Sequence, residues 1–444
     1  MSKLTGKTVA HITLGCKVNM YDTQGMIEIL ENHGARAVDI SERATEPAAE
    51  SADIYIINTC TVTNLGDKKS RQAIRKVSKW NPDAVIVVCG CYSQIDPEAV
   101  RAIEGVDIVL GTKDRQRIAE FICQYLESQE QKNYVGSVDT QTEFEDLSIS
   151  EASGKARAYI KIQEGCDNYC AYCIIPYARG RVRSRAKESI LTEAIKLTEV
   201  GVQEIVLAGI NIGNYGKDKV GEGPSLSGII RELHEIQGIR RIRLGSIDPN
   251  SITDEFLKAL SDCPKLCDHL HLSLQSGADK TLNAMNRHYS ASHYSNMVAK
   301  LRAIRPNIGI TTDVIVGFPG ENEDDFTVSY DFVKAMEFSG VHVFPYSSKI
   351  GTKAASMDGQ VPSKIKNERA KIMGELSHML CEKFAKKFVN TKIEVLFEQG
   401  IGNNVFEGHT SNYIVVRCDS EIDLRNQIKE VECVYDREGC LYGK

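Results

Sequence analysis

No run of apolar residues in this sequence is long enough to span a bilayer, and its first residues hold no apolar core of a secretion signal. That pattern is expected of a cytoplasmic protein. Surplus positive charge is also missing: 54 Lys and Arg stand against 60 Asp and Glu, a formal net charge of −6. A generally adhesive nucleic-acid coat is thereby excluded, so any RNA contact must be local, and no DNA partner is expected. Cysteine is too sparse for a disulfide scaffold, at 14 of 444 residues, and in a reducing compartment those thiols stay available to metal. What remains is an ordinary globular composition, 42% hydrophobic and 26% charged. The length predicts about two to four domains.

The chemistry concentrates in residues 164–185, EGCDNYCAYCIIPYARGRVRSR. Cys166, Cys170 and Cys173 form C-x3-C-x2-C, with Tyr172 just before the last thiol. Three thiolates so close can hold three corners of a [4Fe–4S] cubane, which normally takes four, so one iron is left open to a small molecule. Zinc would need a fourth ligand, usually from a second paired motif, and none follows nearby. The motif resembles the signature of the radical S-adenosylmethionine (SAM) superfamily. That resemblance implies a SAM molecule chelated at the open iron and split, on one-electron reduction, to a 5′-deoxyadenosyl radical.

Around this loop the chain alternates strand and helix patterns. In residues 1–127, strands are predicted at 9–14, 53–58, 85–88 and 107–110. Helices are predicted between them at 20–33, 67–79, 97–103 and 115–126. This alternation specifies a doubly wound parallel sheet, whose ligands bind beyond the strands' carboxyl ends. Cys16, Cys60 and Cys91 each follow one of the first three strands, so the fold would gather them on one edge. Buried packing is the other reading of these thiols. Cys89 competes with Cys91, which follows Gly90 at the strand exit. Residues 128–155 are polar and aperiodic, a linker or a strap across the first domain.

Residues 156–390 resume the alternation, with strands predicted at 158–163, 204–207, 241–244, 269–274, 310–316 and 341–344. Six units fit a partial (β/α)6 barrel with its chemistry at the carboxyl ends. Those ends carry AGINIG (208–213), GSIDP (245–249), SLQSG (273–277) and VGFPGE (316–321), which are also ordinary turn sequences. Arg179, Arg181, Arg183 and Arg185 place four cations just past the cysteines. They suit a carboxylate, internal ion pairs or RNA phosphate. A basic helix at 363–388 includes Lys383, Lys386 and Lys387. Residues 391–444 read as a small all-β module with more acids than bases.

The contexts LGCKVN, NTCTVT and VCGCY resemble the N-terminal domain of methylthiotransferases, and the tail resembles the TRAM domain. Within that family HITLGCKVNMYDTQ, CIIPYARGRVRSR and HVFPYSSKIGTKAA are most similar to the branch acting on N6-threonylcarbamoyladenosine in tRNA. The resemblance implies a second, auxiliary [4Fe–4S] cluster on Cys16, Cys60 and Cys91, and the radical cluster on Cys166, Cys170 and Cys173. It also implies SAM contacts from Tyr172, Gly209, Asn211, Gln275 and Asp313, although the superfamily's Gly-Gly-Glu-Pro is here Ala208-Gly209-Ile210-Asn211. One SAM would methylate a sulfur at the auxiliary cluster, and the other would supply the radical that attacks C2 of the adenine. Arg183, Lys383, Lys386 and Lys387 are the expected RNA contacts, on the anticodon stem-loop. A reductant such as flavodoxin or ferredoxin and a sulfur source are the further partners implied. The competing expectations are an isopentenyladenosine or ribosomal-protein methylthiotransferase, and a non-catalytic iron–sulfur or zinc RNA-binding protein.

Overall fold

A computed structural model describes residues 3–38, 52–149, 156–219, 223–437 and 439–444. The first unit is a six-stranded, wholly parallel sheet in the order β2-β1-β3-β4-β5-β6. Its strands are β1 (Thr8–Thr13), β2 (Arg36–Ala37), β3 (Ile54–Thr59), β4 (Val85–Gly90), β5 (Ile108–Val109) and β6 (Lys132–Asn133). Every residue of β3 and β4 is buried, as expected of central strands covered on both faces. One face packs on α1 (Lys17–Asn32) and, further along, α5 (Ile118–Ser128), through Met26, Leu30, Ile118 and Phe121. The other packs on α2 (Asn64–Trp80) and α4 (Pro97–Arg101), through Ile74, Val77 and Val100. A short α3 (Cys91–Ile95) starts directly at the end of β4. The segment expected to be linker supplies β6 and then a strap: Leu147 and Ile149 pack on Tyr21 of α1.

The second unit is a partial (β/α)6 barrel. Strand β7 (Arg157–Lys161) leads to a short antiparallel pair, β8 (Gln163–Glu164) with β9 (Arg183–Ser184), which closes the base of the cysteine loop. Strands β10 (Glu204–Ala208), β11 (Arg241–Leu244), β12 (Ser246–Ile247), β13 (His269–Leu272), β14 (Gly309–Val316) and β15 (Gly340–Pro345) follow, all parallel. β11 and β12 flank Gly245, so the wall runs β7-β10-β11/β12-β13-β14-β15. Alternate residues divide two environments. Ile160, Ile205, Leu207, Ile242, Leu270 and Val314 enter one apolar core beneath helices such as α7 (Lys187–Glu199) and α8 (Leu226–Glu235). Their neighbours Tyr159, Arg243, His271, Asp313 and His342 therefore face the lumen, by the period of two.

The long helix α13 (Ser363–Lys386) follows α12 (Glu323–Met336) and β15 and leads into a closed five-stranded barrel. That barrel runs β16 (Lys392–Gly400), β17 (Val405–Thr410), β18 (Val415–Asp419), β20 (Cys440–Gly443) and β19 (Ile428–Arg437). Two of its strands, β17 and β20, carry too little alternation to be read from sequence. It docks on the amino ends of the large barrel's strands, opposite the cysteine loop. Arg241 donates to the His409 carbonyl at 3.0 Å, and Arg243 to the Thr410 carbonyl at 3.1 Å. Tyr413 stacks between His269 and His409, with ring centroids 4.6 Å apart on either side.

A buried charge network fastens the first unit to the large barrel. Asp22 of α1 and Glu164 of β8 share Arg115, Lys161 and Arg179, and all five side chains are at most 1% exposed. Glu145 of the strap adds a third carboxylate on Arg115 at 2.8 Å. Burial alone would raise both carboxyls, but the three cations hold Asp22 below the ordinary range and Glu164 well below it. Their stabilisation is therefore present above the unfolded-state values, roughly pH 4, and is lost as pH falls through the depressed folded values. Asp22→Ala strands three buried cations on one remaining pair of carboxylates. We expect it to cost about 3–5 kcal/mol in urea denaturation at pH 7 and to weaken the acid dependence. A loss under about 1 kcal/mol would mean the network is dispensable.

Candidate active site

The first three thiols stand where sheet geometry puts them. Cys16 caps the start of α1, Cys60 follows β3, and Cys91 is the first residue of α3. Two glycines make this approach possible. Gly15 has φ +106°, and a Cβ there would lie 3.1 Å from the Cys60 Sγ. Gly90 has φ +98°, and its Cβ would meet the Asn58 Oδ1 at 2.4 Å. Cys60, Cys91 and Cys16 are near enough for each thiol's charge to act on another's ionisation. Cys89 points the other way, into the apolar face with Val87 and Leu110, and burial pushes its thiol up to about 12. It packs the core.

The second set lies on the loop closed by β8 and β9. The Cys173 N–H donates to the Cys170 carbonyl at 2.9 Å, and the Cys166 N–H to the Gly180 carbonyl at 3.0 Å. A turn at 285–287 pins the loop: Ala171 N–H donates to the Met285 carbonyl, and Asn286 Nδ2 to the Tyr169 carbonyl at 3.1 Å. Burial raises the Cys166 and Cys173 thiols, to about 11 and about 12. Each thiol set also meets one buried arginine. Arg179 Nε lies 3.2 Å from the Cys91 Sγ, and Arg287 Nη1 lies 3.2 Å from the Cys170 Sγ. A dry thiol resists ionisation, whereas a bound cationic centre deprotonates it, and such an arginine offsets the charge left on sulfur.

The donor geometry discriminates between metals. A tetrahedral zinc with bonds of about 2.3 Å brings its sulfurs within roughly 3.8 Å of one another. Neither thiol set gathers within 4.8 Å; among the described residues the group of three that does is His271, Asp313 and His342 in the lumen. Three thiols in the loop with no fourth protein sulfur are the donor set of a cubane that leaves one iron open.

All four strand-end signatures reach the loop, SLQSG by way of Tyr289, which accepts from Arg287 and donates to the Ser273 carbonyl. Gln163 donates to the Gly165 carbonyl at 2.6 Å and accepts the Asn211 N–H at 2.9 Å, which ties AGINIG to the cysteines. Asn211 Oδ1 is buried without a hydrogen-bond partner. Asp248 of GSIDP accepts from Arg287 at 2.8 Å. In SLQSG, Gln275 is in the left-handed region at φ 71°, bridged to Val314, and its N–H donates to the Asp313 carbonyl. Gly209 packs against Gln163, and Tyr172 lies against the cluster of Met285, Phe318 and Tyr346. VGFPGE meets the loop through Phe318, which clusters with Ala171 and Tyr172, and it also anchors α13, since Glu321 accepts from the Gly317 N–H and from Arg369 of that helix.

The arginine run resolves against RNA. Arg179 belongs to the charge network, Arg185 pairs with Glu193 and Asp146, and Arg183 is 2% exposed with its guanidinium on the Arg179 and Arg181 carbonyls. The expected RNA contact at Arg183 is thereby corrected: a side chain enclosed on backbone oxygens offers phosphate nothing. Lys383, Lys386 and Lys387 do lie on the exposed end of α13, with Lys383 on Glu337 and Lys386 3.6 Å from Glu382. Sequence reasoning missed Arg287 and Asp248 as a pair, and Lys17 beside Cys16. Only Lys17 had a signal, its place in LGCKVN.

Residues 160–333 match the Radical SAM superfamily, and residues 8–111 match a family described as Uncharacterized protein family UPF0004. The chain is 41% identical over 430 residues to threonylcarbamoyladenosine tRNA methylthiotransferase MtaB of Bacillus subtilis, covering 96% of this chain and 93% of that one. The chain belongs to the radical-SAM methylthiotransferase family. The relative of the same name from Aquifex aeolicus is 37% identical, over 87% of this chain and 92% of its own. A tRNA-2-methylthio-N(6)-dimethylallyladenosine synthase of Acetivibrio thermocellus is 35% identical, over 94% and 87%. Among solved structures, a radical SAM methyltransferase, TsrM, of Kitasatospora setae superimposes with TM-score 0.60 at 14% identity, over 78% of this chain and 75% of that chain, and supports the fold. SAM and [4Fe–4S] clusters are the cofactors of this methylthiotransferase.

Metal analysis under anaerobic conditions checks the thiol assignments. Wild-type protein should carry about eight irons, Cys60→Ala about four with SAM cleavage retained, and Cys89→Ala about eight. Eight irons in the Cys60 variant would return that thiol to packing.

Proposed function

We propose that this methylthiotransferase places a methylthio group on C2 of N6-threonylcarbamoyladenosine beside the anticodon of tRNA. Cys166, Cys170 and Cys173 would hold the radical cluster, and Cys16, Cys60 and Cys91 the auxiliary one. The observation that carries this reading is one fold feature: Arg179 touches Cys91 while bonded to Glu164, two residues before Cys166. The same buried network is thus in contact with one thiol set and two residues from the other, which supports their acting together. The relatives at 37–41% identity that bear the threonylcarbamoyladenosine name support this substrate over the dimethylallyl one.

The C2–H of adenine is unactivated, and no side chain deprotonates it at neutral pH. When bound, SAM and the clusters supply the radical and sulfur chemistry that side chains lack. The protein's own residues bind and position. Arg287 and Arg179 donate hydrogen bonds to one thiol in each set, Asn211 and Gln275 present polar groups at the mouth, and the network excludes water between the units. The tRNA anticodon stem-loop, an electron donor such as flavodoxin or ferredoxin, a sulfur source and a cytoplasmic location complete the proposal. No described helix is long and apolar enough to cross a membrane.

Mass spectrometry of tRNA nucleosides from cells lacking the protein tests the substrate. The methylthio form of N6-threonylcarbamoyladenosine should vanish while its precursor accumulates; loss of the dimethylallyl product instead would reassign it. RNA docking is tested separately. Exposed ion pairs such as those of Lys383 and Lys386 are weak and are readily exchanged for phosphate. Replacing Lys383, Lys386 and Lys387 by Ala should weaken tRNA binding and make its log–log salt slope shallower by about 0.7–0.9 per lost contact. An unchanged slope would remove α13 from the RNA path.

A further inference from the structure

Polar side chains line the lumen of the large barrel, and the C-terminal barrel packs across its amino end. The lumen's floor is the column of His269, Tyr413 and His409, over which the Arg243 guanidinium lies 4.7 Å from the Tyr413 ring. The floor's arginines are all paired, Arg241 lying 3.8 Å from Glu204. Arg157 and Arg243 bond Glu204 at 2.8 and 2.7 Å, and Arg157 also meets Glu398 at 2.9 Å. Higher up, the Asp313 carboxylate is taken by His271 at 3.1 Å, whose other ring nitrogen lies 3.0 Å from the Thr311 hydroxyl.

One charged group in this chamber has no counterion among the described residues. Lys17, the first residue of α1, is half-buried, and its ammonium lies 6.0 Å from the centre of the Tyr159 ring on β7. It is within electrostatic reach of Arg157, Arg243 and Glu204, which are already paired with one another, of Cys16, and of His342 on the far edge strand β15. It forms no hydrogen bond or ion pair with a described residue. Its neighbour in sequence is Cys16, so a group on this ammonium is one residue from the auxiliary thiol set.

We propose that Lys17 is the specificity-determining residue that receives the free carboxylate of the threonylcarbamoyl group, an inference that rests on the substrate reading above. Threonine joined through its nitrogen to a carbamoyl carbon keeps its α-carboxylate, so this adenosine bears a negative charge on its N6 arm. A dimethylallyl arm bears none. An ammonium in a partly dry chamber lined by other cations gains from a carboxylate a charge-assisted hydrogen bond. The same ammonium covered by an apolar arm is left unpaired, so the lysine both attracts one substrate and penalises the other. The ligand class follows from the imbalance: Glu204, Glu398 and Asp313 already have partners, and the unmatched charge is positive.

The test uses the iron-loaded full chain and anticodon stem-loop RNAs carrying N6-threonylcarbamoyladenosine, its threonyl methyl ester, or plain adenosine as a control. Binding is read by fluorescence anisotropy, alongside product formation. Wild-type protein should bind the acid roughly 10- to 100-fold tighter than the ester. Lys17→Met should bind the two equally, and Lys17→Arg should restore part of the preference; the double-mutant comparison isolates the pair. Iron content near the wild-type value in each variant shows that Cys16 is undisturbed. The wild-type comparison needs no variant: acid and ester bound within about twofold of each other overturn the proposal. So does a Lys17→Met protein that keeps the preference. Wild-type turnover on a dimethylallyladenosine stem-loop, with none on the threonylcarbamoyl one, would refute the substrate reading itself and is a separate result.

Discussion

Everything at the active site depends on six charges removed from water between two units of the fold. Asp22, Glu145 and Glu164 face Arg115, Lys161 and Arg179, three of each sign. Burying such a set brings little net stability over well-packed apolar residues, because desolvation offsets most of the attraction. It brings geometry instead. An apolar interface tolerates sliding, whereas a buried carboxylate left a few ångströms from its cations is penalised heavily. The docking of the parallel sheet on the barrel is thereby restricted to one register. Arg179 converts that register into chemistry, since the guanidinium that closes the network also touches Cys91. Further contacts reinforce it: Lys349 pairs with Asp67, and the Thr112 hydroxyl donates to the Ala178 carbonyl at 2.6 Å.

The C-terminal barrel plays against this arrangement from the opposite end. Arginines on the amino ends of the large barrel's strands grip backbone carbonyls of residues 409–411, just before Tyr413, which has φ 69°. Such a seat gives the small barrel a fixed place despite its acidic balance, because the grip uses carbonyl oxygens and not its surface charge. The cysteine loop is at the other end. An RNA that touches both must run the height of the barrel, about 17 Å for strands of this length.

Much of this was legible in residues alone. Parallel strands buried on both faces read as short apolar runs, and helices between them read as amphipathic stretches. The two alternating units and the six barrel strands follow from that period. So does the placing of Cys16, Cys60 and Cys91 at strand ends, because a parallel sheet brings all its carboxyl ends to one edge. The C-x3-C-x2-C loop needed only local spacing. The strap was legible as polar and aperiodic, but β6 within it was not, since two residues on a sheet edge carry no period.

What the chain's order could not decide was which charges are inside. Four arginines at alternate positions look like one solvated face, yet Arg181 is exposed while Arg179, Arg183 and Arg185 are buried, each by partners far off in sequence or by backbone oxygens. Arg287 lies 117 residues from the thiol it touches, and Asp22 lies 139 from Lys161. Lys17 could be seen beside its cysteine, but not that it lacks a counterion. Sequence alone determined which elements form and which thiols share an edge, because those depend on local periodicity. Tertiary structure alone decided which ions meet, because burial of charge is settled by partners that only folding brings together.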